Sequence, residues 1–199
     1  IRFSLTALNH ARPVKLSFAL DGRTENHTCC TDRVQTRMIE SGTTPDDLFL
    51  LTNIITTGQY TLHRMRVDLP AAAGLRAAVE SGDKRVALVV EFTPAKGKTL
   101  VFDKTVSVWT SREAGYPHGI IPRNQADQPA DPLKEKEIVA FLKPRSREHL
   151  AGYRDRAYDR IRQAHVERVS HLWDRCDIEI EGDAAAQQGL RYTMFEMLS

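Results

Sequence analysis

Residues 14–20 read Val14-Lys15-Leu16-Ser17-Phe18-Ala19-Leu20. Large apolar groups fall on every second position, the period of a β-strand with one face buried and one face wet. The pattern returns in Val86, Leu88, Val90 and Phe92, and Val106 and Val108 close the series. Ile1 to Leu5 alternates in the same way. From Ile1 to about Ser111 the period is therefore two, and the runs are separated by Asp21-Gly22, Ser41-Gly42, Gly58, Ser81-Gly82-Asp83 and Lys96-Gly97-Lys98, all turn-forming combinations. Short strands joined by short turns predict an antiparallel β-sandwich of two sheets. Asn9 to Pro13, between the first two runs, suits a hairpin.

After Ser111 the character changes. Pro117, Pro122, Pro129, Pro132 and Pro144 crowd a stretch with few apolar residues before Ile138, which reads as a linker. A short helix fits over Leu133 to Leu142, where Ile138, Phe141 and Leu142 share a face. From Ser146 the period is helical: Leu150, Tyr153, Ala157, Ile161 and Ala164 recur three to four apart, and Val169, Leu172 and Trp173 extend the stripe. One long helix to about Arg175 is expected, its Arg-rich polar face interleaved with acids. The division that follows is a sandwich over 1–112, a Pro-rich linker with linker helices over 113–175, and a final segment over 176–199. The fold class is mainly β plus α.

Composition narrows the function. The 28 basic and 26 acidic residues are well mixed and leave a net charge of +2, so no strong field points to nucleic acid or to an anionic membrane. No apolar run approaches the length of a membrane span. Cys29, Cys30 and Cys176 are odd in number, and two are adjacent, which argues against a disulfide framework and for a reducing, cytoplasmic compartment. The sequon Asn26-His27-Thr28 is the one hint of secretion.

Candidate chemistry is sparse. Asp177, Glu179, Glu181 and Asp183 first suggest a metal site or an acid/base pair, but they alternate with Ile178 and Ile180. That alternation predicts a short strand with acids on one face, then Gly182 and Asp183 as the N-cap of a helix. None of the seven histidines has a partner at i+2 or i+4 that would make a zinc pair, so no metal is expected. There is no glycine-rich phosphate loop, nucleophile elbow or Cys-x-x-Cys. Cys29 and Cys30 read as buried strand thiols. In the last segment Ala186, Leu190, Met194 and Met197 follow at helical spacing, and the chain ends with neither Gly, Pro nor a cationic last turn. Both ends read as interior to a larger protein.

The order of these parts resembles glycoside hydrolase family 65, which includes maltose, trehalose and kojibiose phosphorylases. Leu172-Trp173 is followed by Asp177-Ile178-Glu179-Ile180-Glu181-Gly182-Asp183, and Gln187-Gln188-Gly189-Leu190-Arg191-Tyr192 opens a helix. In the family a run of this kind marks the passage from linker to an (α/α)6 catalytic barrel. Leu20-Asp21-Gly22-Arg23-Thr24-Glu25-Asn26 is similar to a segment of its sandwich. The resemblance implies a super-sandwich N-terminal portion, the linker and the first barrel helix of an enzyme that cleaves α-linked glucose disaccharides with inversion. Most such enzymes are phosphorylases, with inorganic phosphate as co-substrate and no other cofactor; a minority are hydrolases. The family's catalytic groups lie beyond Ser199, so no residue of this chain is assigned a catalytic role, and Glu179, Glu181 and Glu196 are not promoted to one. Partners implied are the disaccharide, phosphate and the rest of the barrel, with a possible homodimer. A free-standing sugar-binding sandwich is the competing reading, although seven Phe, five Tyr and two Trp supply few aromatic platforms.

Overall fold

The computed structural model describes residues 1–23, 36–55, 57–72, 74–114, 132–154 and 157–198. Eight strands come first: β1 (Arg2–Thr6), β2 (Val14–Asp21), β3 (Thr36–Thr43), β4 (Leu48–Ile54), β5 (Gln59–Asp68), β6 (Arg76–Gly82), β7 (Arg85–Phe92) and β8 (Thr99–Thr110). Three helices follow, α1 (Pro132–Ala151), α2 (Ala157–Cys176) and α3 (Ala184–Leu198). The chain divides into two compact units, residues 1–155 and 156–199.

In the first unit all strand pairs are antiparallel and form two sheets, one in the order β1-β8-β5-β4-β3 and one in the order β2-β7-β6. Leu20 and Val86 of the smaller sheet meet Leu48, Leu50 and Met65 of the larger, and Phe92 and Val90 meet Phe102. The alternating residues of 14–20 and 86–92 thus form the inner face of a sandwich, as their period requires. Burying each such side chain contributes roughly 1.5–3 kcal/mol.

A third layer lies on the other face of the larger sheet. Ile138 and Leu142 of α1 are buried against Phe49, Leu51, Tyr60 and Leu62. β4 is therefore covered on both sides, which explains its uninterrupted apolar start, Leu48-Phe49-Leu50-Leu51. Helix α1 does not stop at Pro144 as the linker reading expected. Ile138, Leu142, Ser146 and Leu150 recur every fourth residue, and all four are buried. That docking face offsets the roughly 3 kcal/mol that an interior proline costs a helix.

Three other expectations are corrected. β1 and β2 do not form a hairpin: β1 pairs with β8 and β2 with β7, so Asn9 to Pro13 crosses between sheets. The helical stretch from Ser146 to Arg175 is two helices, because Gly152, Tyr153 and Arg154 turn back onto the carbonyls of Glu148, Leu150 and Ala151. Ser41-Gly42 lies inside β3, and the turn comes at Thr44, whose amide bonds the Asp47 carbonyl at 2.7 Å. Gly42 stands opposite Phe49 across the ladder, and a β-carbon there would sit 2.8 Å from the ring. The glycine serves close approach rather than a turn.

In the second unit α2 is exposed over most of its length, with Ile161 and Val166 each over 40 % accessible. Its apolar stripe is not buried in this chain. No described helix is long and apolar enough to cross a membrane.

Candidate functional site

Chemistry-bearing side chains gather in three places. The first is beneath α1. Along β5 the alternate residues Tyr60, Leu62, Arg64 and Arg66 face the helix, so strand periodicity carries two guanidinium groups into the interface. Arg64 is fully buried. It pairs with the buried Asp47 carboxylate, donates from Nε to Ser146 Oγ at 3.0 Å, and lies 5.0 Å from the centre of the Phe49 ring. Ser146 Oγ in turn donates to the Lys143 carbonyl at 3.0 Å. Arg64 Nη2 has no hydrogen-bond partner among the described residues. The arrangement is a fixed ion pair that ties β5, the β3–β4 turn and α1 together.

Nearby, Ser107 Oγ lies 3.0 Å from His149 Nδ1, the spacing of a nucleophile and its base. Ser107 is buried, and no carboxylate orients His149 among the described residues; its ring is held edge-on by Trp109 and Tyr153. The pair is a packing contact. At the edge of the same interface the Tyr60 hydroxyl donates to Glu135 Oε2 at 3.0 Å, and burial together with that carboxylate pushes the phenol up to about 12.

The second place is a groove of about 470 Å³ at the end of α1, bordered by Thr43 to Asp47, Arg66, Arg147, Leu150, Ala151 and Arg154. Its charges are largely spent internally. Arg154 pairs with Asp46 at 2.6 Å, Arg66 with Asp68 at 3.0 Å and with the Tyr153 carbonyl, and Asp47 with Arg64.

The third place is the run from Asp177 to Tyr192, in the second unit. Residues 177–180 are not the short strand expected from their alternation; they form an irregular extended segment held by α3. Gln187 reaches back with both ends of its amide, accepting from the Ile180 N–H at 2.6 Å and donating to the Ile178 carbonyl at 2.9 Å. Arg191 grips Asp177 with two bonds, 3.0 and 2.5 Å, which holds that carboxyl below its ordinary range. Gly182 takes φ +85°, and Asp183 caps α3 by accepting from the Ala186 N–H at 2.9 Å, as its position predicts. The four acids therefore do not converge: Asp177 is committed to Arg191 and Asp183 to the helix end. Glu179, Glu181 and Glu196 are exposed. No group of three metal-ligating side chains occurs among the described residues. Cys29, Cys30, the Asn26 sequon and, of the Pro-rich stretch, Pro117, Pro122 and Pro129 lie outside the described residues, as do the last three residues of the Leu20–Asn26 segment.

Trp173, Asp177, Ala184, Gln187, Gln188, Arg191 and Tyr192 line a recess of about 720 Å³ on this unit. Sequence reasoning singled out most of these residues as a motif and missed the clasp they make. The i, i+4 placement of Gln187 and Arg191 puts them on one helical face, but nothing in the sequence marks residues 177–180 as what that face holds.

Known proteins resemble the chain along most of its length. Residues 1–172 match the model for the N-terminal domain of glycosyl hydrolase family 65. A kojibiose phosphorylase of Thermoanaerobacter brockii is 32 % identical over 109 residues, covering 55 % of this chain and 11 % of that protein. A maltose phosphorylase of Bacillus subtilis is 33 % identical over 67 residues, 34 % of this chain and 8 % of its own length. The matched stretches thus span about a tenth of these relatives. A solved structure described as a kojibiose phosphorylase from the human microbiome shares the fold, with a TM-score of 0.62 over 93 % of this chain and 21 % of that one, at 19 % identity. With its sandwich, α1 and most of α2 inside the matched region, the chain belongs to glycosyl hydrolase family 65.

Proposed function

We propose that the chain is a non-catalytic N-terminal segment of an enzyme that cleaves α-glucosidic disaccharides with inversion, by phosphorolysis to a sugar 1-phosphate. The observation that carries this reading is the family match over 172 residues, joined to relatives named as kojibiose and maltose phosphorylases. Both sugars are α-linked glucose disaccharides. Inversion by phosphorolysis needs a carboxylic acid to protonate the leaving oxygen and phosphate on the opposite face of the sugar. The acids described above are spent on an ion pair and a helix cap or stand exposed, which supports a scaffold role. In this reading α3 is the first helix of an (α/α)6 barrel. Inorganic phosphate is the co-substrate and no other cofactor is needed. The parent enzyme is cytoplasmic and works as a homodimer.

The test is an assay of the parent enzyme with kojibiose, maltose, trehalose and nigerose, with and without inorganic phosphate. Phosphate-dependent formation of glucose 1-phosphate of inverted configuration is expected, and none from the 199-residue chain alone. Glucose release independent of phosphate would replace phosphorolysis by hydrolysis. Turnover by the isolated chain would overturn the scaffold role.

A further inference from the structure

On the inner face of the larger sheet, burial stops short of β8. In the row Leu50, His63, Val108, which crosses β4, β5 and β8, the leucine is buried, the histidine half-buried and the valine 51 % exposed. In the next row Leu48 and Met65 are buried and Val106 is 37 % exposed. The register puts both valines on the face of Met65, a member of the sandwich core, and not on the face that α1 covers. The course of β2 gives the reason. Phe18 rests on Phe102 of β8, ring centres 5.7 Å apart, whereas Leu20 packs with Leu50 and Met65 of β4 and β5. β2 thus crosses the larger sheet obliquely and leaves β8 before Val106. There the smaller sheet ends, because β2 pairs with β7 along one edge and, among the described residues, with no strand along the other.

The bare valines and the free edge are two halves of one deficit. Valine at an inward strand position is built to be packed on, and an unpaired edge is a template for a further strand. A strand added along β2 would extend the three-stranded sheet over the uncovered part of the five-stranded one. Its period of two would set every second side chain against Val106 and Val108. The charged group on this face of β8, Lys104, is already engaged, donating from Nζ to the Ala19 carbonyl at 3.1 Å. What is left asks for apolar side chains rather than a polar ligand. The opposite edge of the smaller sheet offers less: the inward positions of β6 are Ala77, Val79 and Ser81. A second copy of the chain and further sequence of the same polypeptide could each supply the strand. This chain covers 21 % of the solved structure whose fold it shares, so most of such a protein lies outside it. A segment of the same polypeptide is held at an effective concentration that a separate molecule does not reach.

We propose that the free edge of β2 and the bare valines of β8 receive a β-strand from the remainder of the parent chain, with apolar residues at alternate positions. The existence of a parent rests on the functional reading above; the docking face rests on the burial pattern.

The test compares Val108→Cys in the parent enzyme and in the 199-residue chain, by maleimide labelling read on the tryptic peptide of residues 105–112, with labelling in urea as the reference for full reactivity. Labelling roughly tenfold or more slower in the folded parent than in the folded chain is expected, and amide exchange at alternate residues of β2 should slow in the parent as well. Equal labelling in both would overturn the proposal. So would slow labelling in the chain itself: if it depends on concentration, a second copy is the occupant, and if not, the chain covers the face unaided. Protection of residue 108 with unchanged exchange along β2 would replace the strand by an element that does not pair, and would overturn it too. Phosphorolysis by the parent with residue 108 unprotected removes the docked strand and leaves the function standing. Protection at both places with no turnover by the parent does the reverse.

Discussion

The two units hold charge in opposite ways. In the first, Arg64 is sealed between a sheet and α1, with Asp47 beside it and an aromatic ring nearby. In the second, Arg191 and Asp177 make an equally close pair at the surface, with side chains 46 % and 31 % exposed. The geometry is alike and the energetic meaning differs. A buried charge that loses its partner has no water to turn to, whereas an exposed one is resolvated at little cost. The first unit is organised by what it excludes from solvent; the second by a local clasp on a helical corner whose apolar stripes are mostly bare.

The largest expected effect comes from breaking that contrast on its buried side. Asp47→Ala leaves Arg64 charged and unpaired beneath α1 and should destabilise the first unit by about 3–5 kcal/mol in urea unfolding. Arg64→Met, which removes the charge and keeps the volume, should cost far less or stabilise. If the two substitutions weaken the unit equally, the pair contributes by packing alone and the contrast fails.

How much of this was legible in the sequence follows from the same physics. The period of 14–20 and 86–92 announced the sandwich, because one-sided burial leaves a mark on every second residue. Partner choice leaves no such mark, which is why β1 and β2 read as a hairpin although they belong to different sheets. Pro144 read as a breaker because a proline's local cost is visible and the four buried anchors that offset it are recognised only once a sheet is there to receive them. At the motif the cap at Asp183 was readable, being local. The clasp of Gln187 on residues 178–180 was not, since a side chain that imitates a strand partner is spelled like any exposed glutamine.

Packing on the helix-facing side of the larger sheet gives the next effect. Gly42→Ala places a methyl group against the Phe49 ring, which is itself buried among Leu51, Leu62 and Leu142 and has nowhere to retreat. A loss of about 1–3 kcal/mol is expected in the same unfolding experiment, typical of overpacking. An unchanged midpoint would show that β3 moves outward freely and is less firmly part of the sheet than its register implies.

The alkaline limb of stability sharpens the picture at the interface edge. Tyr60 is pushed up to about 12, first by burial and then by its bond to Glu135. The folded state therefore keeps a proton that the unfolded chain releases near pH 10. The stabilisation from this group is complete below pH 10 and is lost as pH rises through 12. Denaturant midpoints between pH 9 and 12.5 should fall over that window, and Tyr60→Phe should remove this component of the slope. A wild-type profile that the substitution leaves unaltered would mean that the phenol titrates as if exposed.

The smallest effect is the one that isolates the second unit. Gln187→Leu keeps a helix former of similar size on α3 and deletes both bonds to the 178–180 backbone. Ile180, whose amide now donates to that side chain, is left to water. A single hydrogen bond near the surface contributes about 0.5–1.5 kcal/mol, so amide exchange at Ile180 should accelerate by about 3- to 10-fold. Exchange along β4 and β5 should stay as it was, because no bond of Gln187 reaches them, and the urea midpoint of the first unit should not move. Site-resolved exchange separates these outcomes. Faster exchange confined to 178–180 means that the clasp acts only on its own corner, as an exposed network must. Acceleration that spreads into β4 and β5 would show that the two units unfold together, and the surface clasp would then matter as much as the buried pair.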